Sequence, residues 1–135
     1  MSRAIAREVA MKLVYCNLVG GTDTPDAVLE KSEIHEPLDE EDKRYTQLVL
    51  DGVTTALAVI DEKISRYAVG WSIERIARVD LAILRVAIYE MLFMDDIPLG
   101  ASINEAVELA KTFGGERSYA FINGILGTVA DELGQ

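Results

Sequence analysis

The sequence is poor in the residues that enzymes and cross-linked domains depend on. A single cysteine, Cys16, in 135 residues excludes an internal disulfide and any cysteine-based zinc site. A single histidine, His35, lies in a polar stretch between Glu33 and Glu36. A lone imidazole without convergent partners reads as an exposed loop residue, not as a catalytic base or a metal ligand. Positive charge is scarce as well: 13 Lys and Arg face 23 Asp and Glu, for a net charge of -10, which weighs against non-specific binding to nucleic acid. No apolar run approaches the ~20 residues of a membrane span. Arg3, Arg7 and Lys12 interrupt every candidate signal-peptide core, so a cytoplasmic location is expected. The alternating pattern of β-strands is missing too.

The acidity is concentrated. Residues 23–42 carry nine acidic groups against Lys31 alone, a local balance of -8, whereas residues 1–15 carry Arg3, Arg7 and Lys12 against Glu8, a balance of +2. A local basic surface is therefore compatible with an acidic whole. With 50% hydrophobic and 27% charged residues, the chain reads as one domain over residues 1–135. A chain of this length buries about two-thirds of the surface its unfolded form exposes.

Helical periodicity runs through nearly every segment. A first helix opens at Ser2, buries Ile5, Val9 and Leu13, turns Cys16 toward the core and ends at Gly20-Gly21. Thr24-Pro25 starts a short helix, because proline at the first helical position gives up an N–H that would have had no partner. Asp39-Glu-Glu-Asp opens a long helix with acids at the positive end of its dipole. Its apolar stripe is Tyr45, Leu48, Val49, Gly52, Val53, Ala56, Leu57, Ile60 and Ile64, and Gly52 marks a close helix–helix approach. Gly70-Trp71-Ser72 breaks the pattern, and Ser72 caps a short helix to about Ala77. Leu81 to Met94 is apolar nearly all round, the pattern of a helix enclosed by others, and Pro98 follows its end. Ser102 reads as an N-cap, with Glu105 completing a capping box and Gly114-Gly115 supplying the stop. A last helix, from about Ser118 to Glu132, buries Ile122, Ile125, Leu126, Val129 and Leu133. The expected fold is an all-α bundle of six to seven helices.

Carboxylates are plentiful but converge nowhere in particular. The turn Gly114-Gly115-Glu116-Arg117-Ser118 lacks the Lys-Ser/Thr ending of a phosphate loop and follows no strand. The chain reads as a binder, with no catalytic residue, metal or cofactor expected. Three constellations are candidates. Arg3, Arg7, Met11 and Tyr15 recur every four residues, each step turning about 40° around the helix; they suit phosphate and base contact, or a solvated face paired through Glu8. Lys111 and Phe113 end one helix, and Arg117, Tyr119, Phe121 and Asn123 begin the next, whose N-terminus can add anion affinity. Lys111 as a dipole partner, with Phe113 and Phe121 as core, is the alternative. Glu74, Arg75, Arg78, Asp80 and Arg85 flank the central helix and suit a protein–protein rim, or internal pairing of Arg85 with Glu90 or Asp80.

Five motifs, in order, resemble the NusB family of transcription antitermination factors. They are Arg3-x-x-x-Arg7-Glu-x-Ala leading to Leu-Val-Tyr15, and Val79-Asp80-x-x-Ile-Leu-Arg85-x-Ala-x-Tyr-Glu90. Asp96-Ile-Pro98, Ile103-Asn-Glu-Ala-Val-Glu-Leu-Ala-Lys-Thr-Phe113 and Phe121-Ile-Asn-Gly-Ile-Leu126 follow. The resemblance implies an all-helical fold of two packed sub-bundles, no catalysis, and partnership with NusE, a ribosomal protein of the small subunit. It implies that the pair binds boxA RNA of nascent ribosomal RNA leaders and joins the elongating RNA polymerase complex to suppress termination. It places Arg3 and Arg7 on RNA phosphate, and Lys111, Phe113, Arg117, Phe121 and Asn123 in a second RNA-contacting region. Tyr15, Glu74, Asp80 and Arg85 match positions at the NusE interface. Some members self-associate through the RNA face, which admits a homodimer.

Two other readings stand beside this one. Similar helical domains precede the catalytic domain of ribosomal RNA cytosine methyltransferases, but the sequence to Gln135 contains no cofactor-binding turn of that kind. The other is a helical adaptor that binds protein without RNA. One departure from the family pattern has a measurable consequence. Several relatives carry a dense N-terminal arginine cluster, and here only Arg3 and Arg7 remain, followed by Lys12. Each phosphate left unneutralised flattens the salt dependence of binding by roughly one log–log unit. The isolated chain is expected to bind boxA RNA weakly and to depend on NusE; tight binding by the chain alone in a salt titration at physiological ionic strength contradicts this.

Overall fold

The computed structural model describes residues 3–21, 27–28 and 38–134. Among these, six α-helices follow one another: α1 (Arg3–Leu18), α2 (Glu40–Thr55), α3 (Leu57–Tyr67), α4 (Arg78–Phe93), α5 (Leu99–Phe113) and α6 (Ser118–Gly134). A short 3₁₀ turn, Ile73–Arg75, lies between α3 and α4, and no described residue is in a strand. The start of the helix expected at Thr24-Pro25, and His35, lie outside the described residues; Ala27 and Val28 are helical.

The enclosed helix is α4. Every residue from Asp80 to Met91 is buried, as a helix with no polar face requires. Helices α1 and α2 pack on each other and on α4; α5 and α6 pack as a hairpin and also on α4; α3 touches α2, α4 and α6. The two groups of helices thus share α4, and one apolar core continues from Ala6 in α1 to Val129 in α6. A small satellite of Val9, Leu13, Val28 and Leu38 lies beside it. Truncating a fully buried leucine such as Leu84 costs about 2–5 kcal/mol. Among the described residues, no helix is long and apolar enough to cross a membrane.

The ends of the helices follow local chemistry. Asp39 caps α2, its Oδ1 accepting from the Asp42 N–H at 2.8 Å, and the Gly114 N–H closes α5 on the Ala110 carbonyl at 2.9 Å. Helix α1 ends ahead of Gly20, whose φ of 91° is open to glycine without strain. At the far side, Glu132 of α6 takes Lys63, Arg66 and the Tyr67 hydroxyl of α3.

Four expectations change. The single long helix over residues 40–67 is two, divided at Ala56 (φ -99°, ψ 17°). Ile60 and Ile64 still reach the core, whereas Leu48 and Leu57, at the two edges of the expected stripe, are exposed. Ser102 is not a cap, because α5 begins three residues earlier, after Pro98, whose fixed φ suits a helix start. Cys16 is half-buried, and Leu133 is exposed.

Gly52 makes the expected close approach. A Cβ placed there would overlap the Tyr89 ring of α4. Gly52→Ala should therefore destabilise the protein by about 1–3 kcal/mol through overpacking, despite alanine's better helix propensity. Urea denaturation checks this, and an unchanged or raised midpoint contradicts it.

Candidate nucleic-acid and partner interface

A carboxylate buried in the central helix organises the first candidate region. Glu90 is 1% exposed and Arg7 is 8% exposed. Arg7 Nε donates to Glu90 Oε2 at 2.8 Å, the Tyr45 hydroxyl donates to the same oxygen, and Ser102 Oγ donates to Oε1 at 2.7 Å. Arg7 Nη1 also lies 3.6 Å from Glu105. Burial opposes the charge on Arg7, but the hydrogen bond and charge of Glu90 outweigh it and raise the guanidinium above the ordinary arginine range. Arg7, expected on RNA phosphate, is thus engaged through Nε by Glu90 and through Nη1 by Glu105 and is largely buried at the α1–α4 contact.

The physical reason lies in the winding of the N-terminal stripe. Its four-residue steps rotate toward α4, so Arg7 and Met11 enter the interface while Arg3 and Tyr15 stay at its edges, part-exposed. Arg3 stacks 4.5 Å over the Tyr45 ring and lies 3.7 Å from Glu41, with Nε buried and unpartnered.

The second region forms where α5 meets α6. The Ser118 hydroxyl accepts from the Gly115 N–H at 2.9 Å, which fixes the tight turn between the helices. Cations and aromatics gather around it. Lys111 sits 5.7 Å from the Tyr119 ring and 3.5 Å from Glu108. Lys12 of α1 sits 4.8 Å over Phe113 and 2.9 Å from Glu8. Arg117 and Asn123 are exposed, and Phe113 and Phe121 are half-buried. The structure brings Lys111, Phe113, Arg117, Phe121 and Asn123 to one helical junction.

The positions expected to meet a protein partner are dispersed in character. Tyr15 is half-buried against the core, and Glu74 is exposed. Arg85 is buried, and its partner is neither Glu90 nor Asp80: it holds Asp61 of α3 through two bonds, of 3.0 and 2.8 Å. Asp80 is buried beside Ser118, and burial pushes its carboxyl above the ordinary aspartate range.

Lys12, which the sequence groups only with the N-terminal basic residues, lies over Phe113 of α5, and Trp71 was missed as a member of these surfaces. Trp71, 52% exposed, meets the Phe121 ring edge-on with centroids 6.2 Å apart. The signal for it was an apolar tryptophan placed in a Gly-Trp-Ser break, where core packing does not call for it.

Comparison with known proteins agrees with this architecture. Residues 4–131 match the model of the NusB family. The transcription antitermination protein NusB of Acetivibrio thermocellus is 47% identical, over 96% of this chain and 88% of its own length. That of Natranaerobius thermophilus is 43% identical, over 98% and 97%. Among solved structures, T. maritima NusB superposes with a TM-score of 0.84 at 36% identity, covering 98% of this chain and 92% of that one. A chain from a complex of antitermination factors NusB and NusE with double-stranded RNA shares the fold, with a TM-score of 0.78 at 24% identity, covering 98% and 99%.

The buried network has a pH signature. Burial, then the charge of Glu90, raises the Tyr45 hydroxyl above its ordinary pKa of 10.0. The native state therefore keeps the proton that the unfolded chain releases. This contribution is fully present below pH 10.0 and is lost as pH rises above it. Tyr45→Phe should cost about 1–3 kcal/mol at neutral pH by leaving Glu90 short of a donor. It should also lose less stability than the parent between about pH 9 and pH 11; parallel losses in urea melts across that window contradict this.

Proposed function

The chain belongs to the NusB family, and from that premise we propose that it is a transcription antitermination factor that binds boxA RNA of ribosomal RNA leaders together with NusE. The pair joins the elongating RNA polymerase complex in the cytoplasm. The observation that supports the RNA half is the α5–α6 junction, where Lys111 lies beside Tyr119 and Lys12 of α1 over Phe113, with Arg117 just ahead of α6 and Phe121 and Asn123 in its first two turns. Cations there reach phosphate and aromatic rings stack on unpaired bases, the two interactions that single-stranded RNA recognition uses. Arg3 extends this surface along the edge of α1. Arg7 serves it indirectly, by holding α1 against α4 and α5.

In this reading NusE meets half-buried Tyr15 and exposed Glu74, and Arg85 supports that face by tying α3 to α4 through Asp61. A homodimer through the RNA face would hide these groups until RNA or NusE arrives. The curated relatives are named for antitermination and not for a reaction, in keeping with a binding role. One observation favours the adaptor reading: with Arg7 buried and Arg3 engaged by Tyr45 and Glu41, few cations remain for phosphate.

Two measurements separate the readings. Lys111→Glu with Arg117→Glu should weaken boxA binding by the complex with NusE and lower its salt slope by about 0.7 for each phosphate no longer neutralised. Unchanged affinity would favour the adaptor. Tyr15→Asp should abolish NusE binding by placing a charge at an aromatic anchor, with a native circular dichroism spectrum; NusE binding at parental affinity removes Tyr15 from the interface.

A further inference from the structure

Between the 3₁₀ turn, the start of α4 and the start of α6 lies a cavity of about 650 Å³ lined by Trp71, Arg75, Asp80, Arg117, Ser118 and Phe121, with Ile76, Ala77 and Ala120. It joins Asp80, which the family resemblance assigns to the protein partner, with Arg117 and Phe121, which it assigns to RNA. Its chemistry is specific. Trp71 and Phe121 stand edge to face at 67°, so Trp71, 52% exposed, offers a free aromatic surface. Asp80 is 7% exposed, and its Oδ1 has no hydrogen-bond partner, although Ser118 lies beside the carboxylate. Arg75 and Arg117, both exposed, flank this acid.

We propose that this cavity is a nucleobase pocket for single-stranded RNA, selecting a base with an exocyclic amino group (cytosine, adenine or guanine, against uracil) through Asp80 while the base stacks on Trp71. This inference rests on the RNA-binding reading and adds the base chemistry to it. A buried acceptor without a donor is an unfavourable state for the empty protein, and the amino group of a base supplies that donor. Carboxylates accept from the cytosine amino group in direct base readout, and unstacked bases are held on aromatic and guanidinium planes. The two arginines favour RNA over a basic protein side chain, because they repel the latter and attract the phosphates on either side of the base. Exposed side chains such as Trp71 and Arg117 change rotamer on the picosecond to nanosecond scale, which gives a base its route to the acid.

Trp71 is the chain's only tryptophan, so its fluorescence reports on this cavity alone. The full chain is titrated at low salt with oligo(rC), with oligo(rU), and with an oligo(rC) carrying N4,N4-dimethylcytidine, which keeps the ring but lacks amino hydrogens. Oligo(rC) should quench Trp71 and bind about tenfold tighter than oligo(rU), the worth of one charge-assisted hydrogen bond. The dimethylated oligomer should bind like oligo(rU). Equal binding of all three overturns the pocket and needs no variant to fold. Asp80→Ala should abolish the preference for oligo(rC); loss of NusE binding with that preference intact overturns the proposal and returns Asp80 to the protein interface. If the complex with NusE binds boxA RNA but the base preference is absent, the pocket fails and the antitermination reading stands. If that complex binds no boxA RNA, both fail.

Discussion

A buried carboxylate near the C-terminal end of the mostly apolar central helix draws its donors from three other helices, and their relative placement follows from satisfying it. Glu90 takes its donors from Arg7 on α1, Tyr45 on α2 and Ser102 on α5. Apolar burial around α4 supplies most of the driving force but is non-directional. A buried charge is different: it demands partners at fixed distances and angles, and removing one is far more costly than never having had the pair. The hydrophobic surface of α4 therefore brings the helices together, while Glu90 limits how they are rotated and offset.

That constraint changes how the binding surface is built. The two N-terminal arginines look equivalent in sequence, one helical turn apart. Their surroundings separate them, because only Arg7 lies beneath the α1–α4 contact. In the proposed function the cations offered to RNA come instead from the α5–α6 hairpin, with its turn fixed by Ser118, and from Lys12 of α1 beside it. Asp80 extends the same logic to the other side of that turn. It is a second buried acid on α4, and unlike Glu90 it keeps an oxygen without a donor.

Local signals and enclosing patterns were legible in the sequence. The cap at Asp39, the stop at Gly114, the all-round apolarity of α4 and the close approach at Gly52 each depend on a few adjacent residues or on one helical period. What was not legible depends on partners far away along the chain. Arg7 and Glu90 are separated by 83 positions, and the pairing of Arg85 with Asp61 spans 24; periodicity says which face a residue occupies but not what it meets there. Ser102 shows the same limit. Its spacing to Glu105 fits a capping box, yet the helix starts at Leu99, and the two side chains instead reach Glu90 and Arg7. In sequence Trp71 reads only as part of a helix break, since the cavity beside it is assembled from α4 and α6.

A double-mutant cycle between Arg7 and Glu90 tests the central claim most directly. The variants Arg7→Leu and Glu90→Leu, and the two combined, are compared by urea denaturation. If the pair is the buried tie described here, each single change strands a charge and costs about 3–5 kcal/mol. The double variant should then be more stable than the sum of the single effects predicts by about 1–3 kcal/mol. Effects that add to within about 0.5 kcal/mol would contradict the account, because Arg7 would then be acting independently of Glu90 and its place inside the fold would have to be given up.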